Sequence, residues 1–210
     1  MARPAYSDDQ REEIETRIKT IALELFAQSG YRNVSLRAIA QVLGMSAPAL
    51  YRYFESKEAL LDAIRADGFE DMRQLLAGER EQAATPVEAV ASAMRAYVGF
   101  AVEQSALYSL MYELDQGEIT QASAHGSRKL AFAEAVRMAE DVLAERGEVG
   151  DANLMAHVFW VSAHGLAALA VARQLDLNKS LHELIEPVVQ TVLRGLSALE
   201  NQQGENDGTV

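Results

Sequence analysis

Residues 35 to 60 read SLRAIAQVLGMSAPALYRYFESKEAL, and the organisation of the amino-terminal part of the chain follows from them. Their order predicts a short helix, a glycine turn and a second short helix over 47–53. Ser35 is a helix N-cap residue, because its hydroxyl can accept a hydrogen bond from a free N–H group of the first turn. Gly44 ends the first helix where the chain needs a positive φ. Ser46 is placed to cap the second helix.

The second helix has the side chains that a helix needs in order to enter a DNA major groove. Its leading edge is small and its trailing edge carries hydrogen-bond donors: Ala47, Pro48 and Ala49, then Tyr51, Arg52 and Tyr53. Bulky side chains at the leading edge would hold the backbone away from the base edges. Pro48 is tolerated because the first turn of a helix has no backbone hydrogen bond to lose.

Together with the helix before it, this segment resembles the tetracycline-repressor (TetR) family of DNA-binding regulators. The resemblance runs from about Ile14 to Leu61. It rests on Ala22, Phe26, Gly30-Tyr31, Ser35, Ile39-Ala40, Gly44-Met45-Ser46, Leu50-Tyr51, Tyr53-Phe54 and Lys57-Glu58. A lone helix-turn-helix pattern is unspecific, whereas this many positions at fixed spacing are not. The resemblance implies an all-α fold of about nine helices, with a three-helix DNA-binding domain followed by a larger helical domain for ligand binding and dimerisation.

The same resemblance implies a homodimer on double-stranded DNA, with a palindromic operator that mirrors the two-fold symmetry of the protein. Arg52 is the first choice for base readout, since arginine can bond bidentately to guanine; a merely solvated arginine is nearly as compatible with the sequence. Tyr51 is predicted to face DNA rather than the core, and Phe54 to lie in the core. The predicted DNA-binding residues are Ser35, Arg37, Ser46, Ala47, Pro48, Ala49, Tyr51, Arg52, Tyr53 and Lys57.

The net charge of −12 is unevenly distributed along the chain. Residues 30–57 carry a net charge of +3, whereas residues 77–210 carry −10. The acidic bulk therefore lies away from the predicted DNA face, and the local charge matters more for phosphate binding than the total does. The number of basic side chains in this segment would not be unusual by itself, so the prediction of DNA binding rests on the helix-turn-helix motif.

Helical periodicity and capping residues divide the chain further. We predict a helix-turn-helix domain over residues 1–56, a connecting helix over 57–77, a ligand-binding and dimerisation domain over 78–200, and a disordered tail over 201–210. Ser7 and Gln10 predict a capping box at the first helix. The other predicted segments are helices over 8–29, 86–104, 106–115, 127–146, 152–174 and 181–199, with a polar linker over 78–84.

Aromatic and methionine side chains are concentrated between residues 85 and 175, which predicts a mostly apolar cavity for a small apolar or amphipathic ligand. The alternative is that these side chains form an ordinary core. Residues 160–165 read WVSAHG, similar to a TetR branch with a Trp-x-x-x-His-Gly signature. The predicted pocket residues are Tyr97, Phe100, Met111, Tyr112, Phe132, Trp160 and His164. His157 and His164 lack a third partner at metal-ligand spacing, so we expect no metal and no cofactor.

The last two helices resemble the pair that forms a four-helix dimer bundle in the family. The helix over 152–174 is rich in small residues, and the last helix has an apolar stripe wider than one packed side requires. An internal core helix is the alternative. The predicted interface residues are Ala163, Ala167, Leu181, Ile185, Val188, Val192 and Leu196.

Other classes of protein fit the sequence less well. The chain has no cysteine, no glycine-rich phosphate loop after a strand and no carboxylate pair spaced with a histidine, so we do not expect an enzyme. The apolar run over 158–172 is shorter than the ~20 residues of a membrane span and predicts a buried helix of a cytoplasmic protein. The leading hypothesis is a homodimeric repressor released by a small molecule. A DNA-binding regulator without an inducer, or a helical protein-interaction module, is the alternative.

Overall fold

The structure is a computed structural model that describes residues 7–112, 122–175 and 178–198, without the side chains of residues 122, 123 and 196–198. These residues form nine α-helices and one 3-10 turn and contain no strand, so the predicted all-α fold is confirmed. The bounds are α1 Asp8–Ser29, the 3-10 turn Tyr31–Asn33, α2 Leu36–Val42, α3 Ala47–Leu50, α4 Lys57–Gln82, α5 Pro86–Glu103, α6 Ser105–Tyr112, α7 Ala122–Arg146, α8 Ala152–Val171 and α9 Leu181–Ala198.

Side-chain caps set the starts of the helices, as the sequence predicts. The Ser7 hydroxyl accepts a hydrogen bond from the Gln10 backbone N–H, and the Gln10 side chain accepts one from the Ser7 N–H, which completes the predicted capping box. In the same way Ser35, Ser46 and Thr85 accept bonds from the N–H groups three residues later. Each cap satisfies a backbone donor that has no partner within the helix.

Two predicted bounds around the DNA-binding domain are wrong. The second short helix ends at Leu50 instead of residue 53, because the Tyr53 N–H donates to the Leu50 carbonyl three residues back and the chain tightens into a turn. The helix predicted over 57–77 continues to Gln82, so most of the predicted linker is helical. Its polar end is held by Arg80, which pairs with Asp141 of α7 at 2.7 Å.

The helices of the larger domain also differ from the prediction. α7 begins at Ala122 instead of residue 127, and the Ala124 N–H donates to the Asp62 carboxylate of α4 at 3.2 Å. α8 ends at Val171 instead of residue 174, because Arg173 adopts a left-handed conformation with φ 55°. The end predicted for the helix over 106–115 and the predicted tail over 201–210 lie outside the described residues.

The core runs without interruption from the first three helices into the larger domain. Phe54 is buried in it, as predicted, together with Ile18, Ile39 and Leu50. α4 leaves this part of the core and packs on α5, α6 and α7. Where α4 meets α6, a Cβ added to Gly68 would lie 2.8 Å from the Met111 sulfur and 3.0 Å from Leu107 Cδ1, so only glycine allows this approach without a shift. α4 thus connects the two domains as one continuous element.

α8 is long and apolar enough to cross a membrane by length and composition alone. Core helices of soluble proteins pass the same test. In this chain α8 packs against α5, α7 and α9, and Ala156, Phe159 and Ala167 are buried there. About a third of α8 is buried within the protomer, so the predicted buried helix is confirmed only for its inner side.

Candidate nucleic-acid interface and ligand cavity

The turn between α2 and α3 positions α3 on the surface. Gly44 has φ 67°, and the Met45 N–H donates to the Ala40 carbonyl at 2.8 Å, so the chain reverses within a few residues. Leu50 is fully buried and fixes the inner side of α3 against the core. The opposite side of α3 is therefore available to a partner.

The outward side of α3 and its following turn carries small and donor side chains. Pro48 and Arg52 are exposed, and Tyr51 is 53% exposed, so its ring does not belong to the core. Tyr53 is half-buried against the core, with the guanidinium of Arg11 6.0 Å from its ring centroid. An exposed helix with a small leading edge and donors behind it has the shape that a major groove admits.

Lys57 occupies a different environment from the one the sequence indicates. Its ammonium group donates to the Tyr31 carbonyl at 2.9 Å and lies 4.2 Å from the Tyr31 ring centroid. The Tyr31 hydroxyl in turn donates to Glu58 at 3.2 Å. Burial, followed by the charge of Glu58, raises the pKa of Tyr31 to about 12. These contacts join the start of α4 to the 3-10 turn. Lys57 therefore stabilises the fold here, a role that the sequence pattern does not predict.

Behind the interface, helices α4, α5, α7 and α8 enclose a cavity of about 360 Å³. Its wall is mostly apolar, which suits a small-molecule site. Polar groups enter it from the first turns of α7, and from α5, α6 and α8. The lining residues are Phe69, Met72, Leu76, Val90, Ala93, Met94, Tyr97, Tyr112, His125, Arg128, Lys129, Ala131, Phe132, Ala135, Met138, His157, Phe159, Trp160 and Ala163.

A buried hydrogen-bond network stands at one wall of the cavity. The Tyr97 hydroxyl donates to the Tyr112 hydroxyl at 3.0 Å, and the Tyr108 hydroxyl lies 2.6 Å from His164 Nδ1. Burial lowers the pKa of His164 and raises the pKa of Tyr97, so both groups are neutral at neutral pH. A neutral network of this kind fixes the aromatic rings without placing a charge in the apolar wall.

Comparison with known proteins shows similarity along both parts of the chain. The family model described as "Bacterial regulatory proteins, tetR family" matches residues 20–64, and the one described as "Tetracyclin repressor-like, C-terminal domain" matches residues 90–192. Together the two matches cover more than two thirds of the chain. This chain belongs to the TetR family of transcriptional regulators.

Individual proteins are similar to this chain over half of its length or more. The HTH-type transcriptional regulator Rv1816 of Mycobacterium tuberculosis is 34% identical over 109 residues, which are 50% of this chain and 45% of that regulator. A solved protein of unknown function from Rhodococcus sp. RHA1 is 26% identical over 87% of this chain and 94% of its own, with a TM-score of 0.76. A tetR-family regulatory protein from Rhodococcus RHA1 is 23% identical over 86% of this chain and 95% of its own, with a TM-score of 0.66.

Membership of the TetR family makes the chain a DNA-binding transcriptional regulator with a helix-turn-helix, and the family is one of regulators rather than enzymes. The predicted DNA-binding residues differ in how far the structure exposes them. Arg37 and Arg52 are exposed, whereas Ala47 and Ala49 are half-buried. Ser35 and Ser46 are exposed, and their hydroxyls accept the capping bonds described above.

The cavity of the TetR-family domain includes part of the predicted pocket. Tyr97, Tyr112, Phe132 and Trp160 line it. The other three predicted residues are not among the lining: Phe100, Met111 and His164. Met111 packs against Gly68 of α4 instead, and His164 Nδ1 lies within hydrogen-bond distance of the Tyr97 and Tyr108 hydroxyls.

Two groups of lining residues were missed from the sequence. α4 contributes Phe69, Met72 and Leu76, although it was interpreted only as a connecting helix. His125 was placed in a break between helices, so its i, i+3, i+4 relation to Arg128 and Lys129 on one helical face was not recognised. That spacing is the signal that would have found the basic group.

The predicted dimer residues divide between inner and outer positions. Ala163 is 3% exposed and Ala167 0%, because both contact helices of their own protomer, so neither is an outward-facing residue. Leu181, Ile185 and Val188 are half-buried and Val192 is buried, while the side chain of Leu196 lies outside the described residues. The outward side of α8 instead carries exposed apolar side chains: Leu154, Val161 and Leu169.

Among the described residues, no group of three or more histidine, aspartate and glutamate side chains is placed to hold a metal ion. His157 Nδ1 lies 2.8 Å from the Asn153 carbonyl one turn earlier in α8. His164 Nδ1 faces the tyrosine hydroxyls. Both histidines therefore have local hydrogen-bond partners.

Proposed function

We propose that this TetR-family regulator is a cytoplasmic homodimeric repressor that binds an inverted-repeat operator and is released from it by a small molecule. The observation that carries the proposal is the pairing of an exposed α3 with an apolar cavity that α4 connects to it. The turn that follows α3 presents Tyr51 and Arg52 outwards, and they have the chemistry for phosphate and base contacts. Ser35, Arg37, Ser46, Ala47, Pro48, Ala49 and Tyr53 complete the proposed interface.

The proposed coupling runs through α4. This helix begins at Lys57, beside the DNA-binding domain, and its middle part lines the cavity. Arg73 lies 3.6 Å from Glu134 and Arg80 lies 2.7 Å from Asp141, so ion pairs join α4 to α7 on the far side of the cavity. A ligand that separates α4 from α7 would shift the population towards dimers whose α3 helices no longer match the groove spacing.

The proposed dimer forms through the outward sides of α8 and α9. Leu154, Val161 and Leu169 share one side of α8, and Val161 is 60% exposed in the single protomer. Exposed apolar side chains aligned on one helix face are typical of a surface that another protein covers. A second copy would bury them and complete a four-helix bundle with α9.

The DNA-binding part of the proposal is tested with two substitutions in the turn that follows α3. Arg52→Ala is expected to weaken binding to a selected operator by about 1–3 kcal/mol, the usual cost of losing a base contact. Tyr51→Phe removes only the hydroxyl and is expected to cost about 0.5–1.5 kcal/mol. Both side chains are exposed, so the fold is expected to survive, which thermal unfolding checks.

Arg95→Ala is the matched control, because it removes the same charge from an exposed pair with Glu186 between α5 and α9. It is expected to leave operator binding near the wild-type value in a fluorescence anisotropy titration at fixed salt. If the Arg52 and Tyr51 variants bind DNA as tightly as the Arg95 variant does, α3 is not the recognition surface.

A further inference from the structure

The cavity is basic at one end and apolar at the other. α4 and α7 run parallel, because Asp62 contacts Ala124 near the start of α7 and Arg80 pairs with Asp141 further along. Along α7 the lining therefore begins with basic side chains and continues with apolar ones: His125, Arg128 and Lys129, then Ala131, Phe132, Ala135 and Met138. On α4 the apolar part is matched by Phe69, Met72 and Leu76.

The basic end has positive charge without a matching carboxylate among the described residues. Arg128 Nη2 lies 3.2 Å from His125 Nδ1, and since a guanidinium can only donate, the histidine nitrogen is the acceptor. His125 thus orients the guanidinium without neutralising it. Neither Arg128 nor Lys129 forms an ion pair with any carboxylate in the part of the chain that the structure describes.

A hydroxyl donor is left over in the adjacent tyrosine network. Tyr97 donates its proton to the Tyr112 oxygen, and Tyr108 and Tyr97 both face His164 Nδ1. Whichever nitrogen of His164 carries the proton, these bonds do not use the proton of Tyr112, which lines the cavity. Burial raises the pKa of Tyr112, while hydrogen bonds with Tyr97 and Trp160 and the charge of Arg128 act in the opposite direction, so the hydroxyl stays protonated at neutral pH. Arg128 and Tyr112 line the same cavity, and a cation and an O–H donor in one cavity can bind the two oxygens of a carboxylate.

Resting on the proposed ligand response, we propose that the cavity binds a small amphipathic monocarboxylate, with its carboxylate at Arg128, Lys129 and Tyr112 and its apolar body between Met72, Leu76 and Met138. The volume of about 360 Å³ corresponds to roughly 12 water-sized groups at ~30 Å³ each. A medium-chain or single-ring carboxylic acid fits this space.

The test uses the full chain and its only tryptophan, Trp160, which lines the cavity and so reports on occupancy by fluorescence. Octanoate, octanamide and octylamine have nearly the same shape and differ in the charge of the polar end. Octanoate is expected to bind at least tenfold more tightly than octanamide, and octylamine to bind most weakly, because only the carboxylate has a negative charge to pair with Arg128 and Lys129.

Variants locate the carboxylate. Arg128→Gln and Tyr112→Phe are each expected to weaken octanoate binding about tenfold, while Arg128→Lys keeps the charge and retains more of it. Arg128 is exposed, so its variants are expected to fold. Arg95→Gln is the control, because Arg95 pairs with Glu186 between α5 and α9 and does not line the cavity. It should leave octanoate binding unchanged.

The outcomes separate this inference from the proposed function. Charge discrimination that disappears in Arg128→Gln supports the carboxylate site. If octanamide binds as tightly as octanoate and also weakens operator binding, the carboxylate is wrong while the ligand response stands. If none of the three probes changes Trp160 fluorescence, the inference is overturned, and operator binding, measured without any probe, remains an independent test of the regulator.

Discussion

Replacing Gly68 by alanine is expected to destabilise the protein relative to the same replacement at Gly78. Both glycines lie inside α4, so both changes bring the same gain in helix propensity. Their surroundings differ. A Cβ at residue 68 would lie 2.8 Å from the Met111 sulfur and 3.0 Å from Leu107 Cδ1, whereas at residue 78 its nearest neighbour is Gln82 Nε2 at 3.7 Å.

The expected magnitude follows from two opposing terms. Glycine to alanine in a helix interior stabilises by about 0.5–1 kcal/mol, and this is the whole expected effect at Gly78. At Gly68 the methyl group overpacks the contact with α6, which costs about 1–3 kcal/mol before the propensity gain is subtracted. The two variants should therefore differ by about 1–3 kcal/mol, which for a chain of this size is a difference in Tm of about 2–12 °C.

Thermal and urea unfolding of the two variants, followed by circular dichroism, measures this difference. The protein concentration has to be the same throughout, because the proposed dimerisation would make Tm depend on concentration. If the two alanine variants have equal stability, or if the Gly68 variant is the more stable, the close approach of α4 and α6 is not real and the path of α4 between the domains is wrong.

The remaining predictions concern α7, α9 and α2. Glu134 is 4% exposed, accepts a hydrogen bond from Arg137 of its own helix and forms an ion pair with Arg73 of α4, so Glu134→Ala should cost about 1–3 kcal/mol in urea unfolding, while the exposed Glu140→Ala costs little. Hydrogen bonds from the Ser180 backbone and from Lys179 lower the pKa of Glu183 from 4.5 to about 2. The stability that this carboxylate contributes is therefore complete above pH 4.5 and is lost as the pH falls towards 2. Glu183→Gln should flatten the acid unfolding curve in that window, and an unchanged curve would contradict the hydrogen bonds of Glu183 at the start of α9. Arg37→Ala should reduce the slope of log affinity against log salt by about 0.9, because one phosphate contact is lost, and an unaltered slope removes Arg37 from the interface.

The parts of the fold that could be predicted are those set by neighbours in sequence. Ser35, Gly44 and Ser46 define α2, the turn and α3 through hydrogen bonds and backbone angles that span a few residues. The end of α4 could not be predicted, because its polar last turn is held by Asp141, which is distant in sequence. The same is true of the start of α7, where Asp62 accepts from the backbone.

For the candidate site, the sequence predicts which types of residue are present better than it predicts which way their side chains face. Tyr97 and Tyr112 line the cavity, as their aromatic character indicates, whereas His164 is not part of the lining and its Nδ1 faces the hydroxyls of Tyr97 and Tyr108. Ala163 and Ala167 are small, as close helix packing requires, yet they face the protomer's own core. Periodicity shows which residues share a helix face, whereas packing against other helices decides where that face points.

The central claim is that two copies of α3 read two successive major grooves. Its most direct test is selection of bound duplexes from a random pool with the purified full chain, followed by sequencing. We expect enrichment of an inverted repeat whose half-site centres lie one helical turn, about 34–36 Å, or a whole multiple of it apart. Enrichment of a site without two-fold symmetry, or no enrichment over the starting pool, would contradict it.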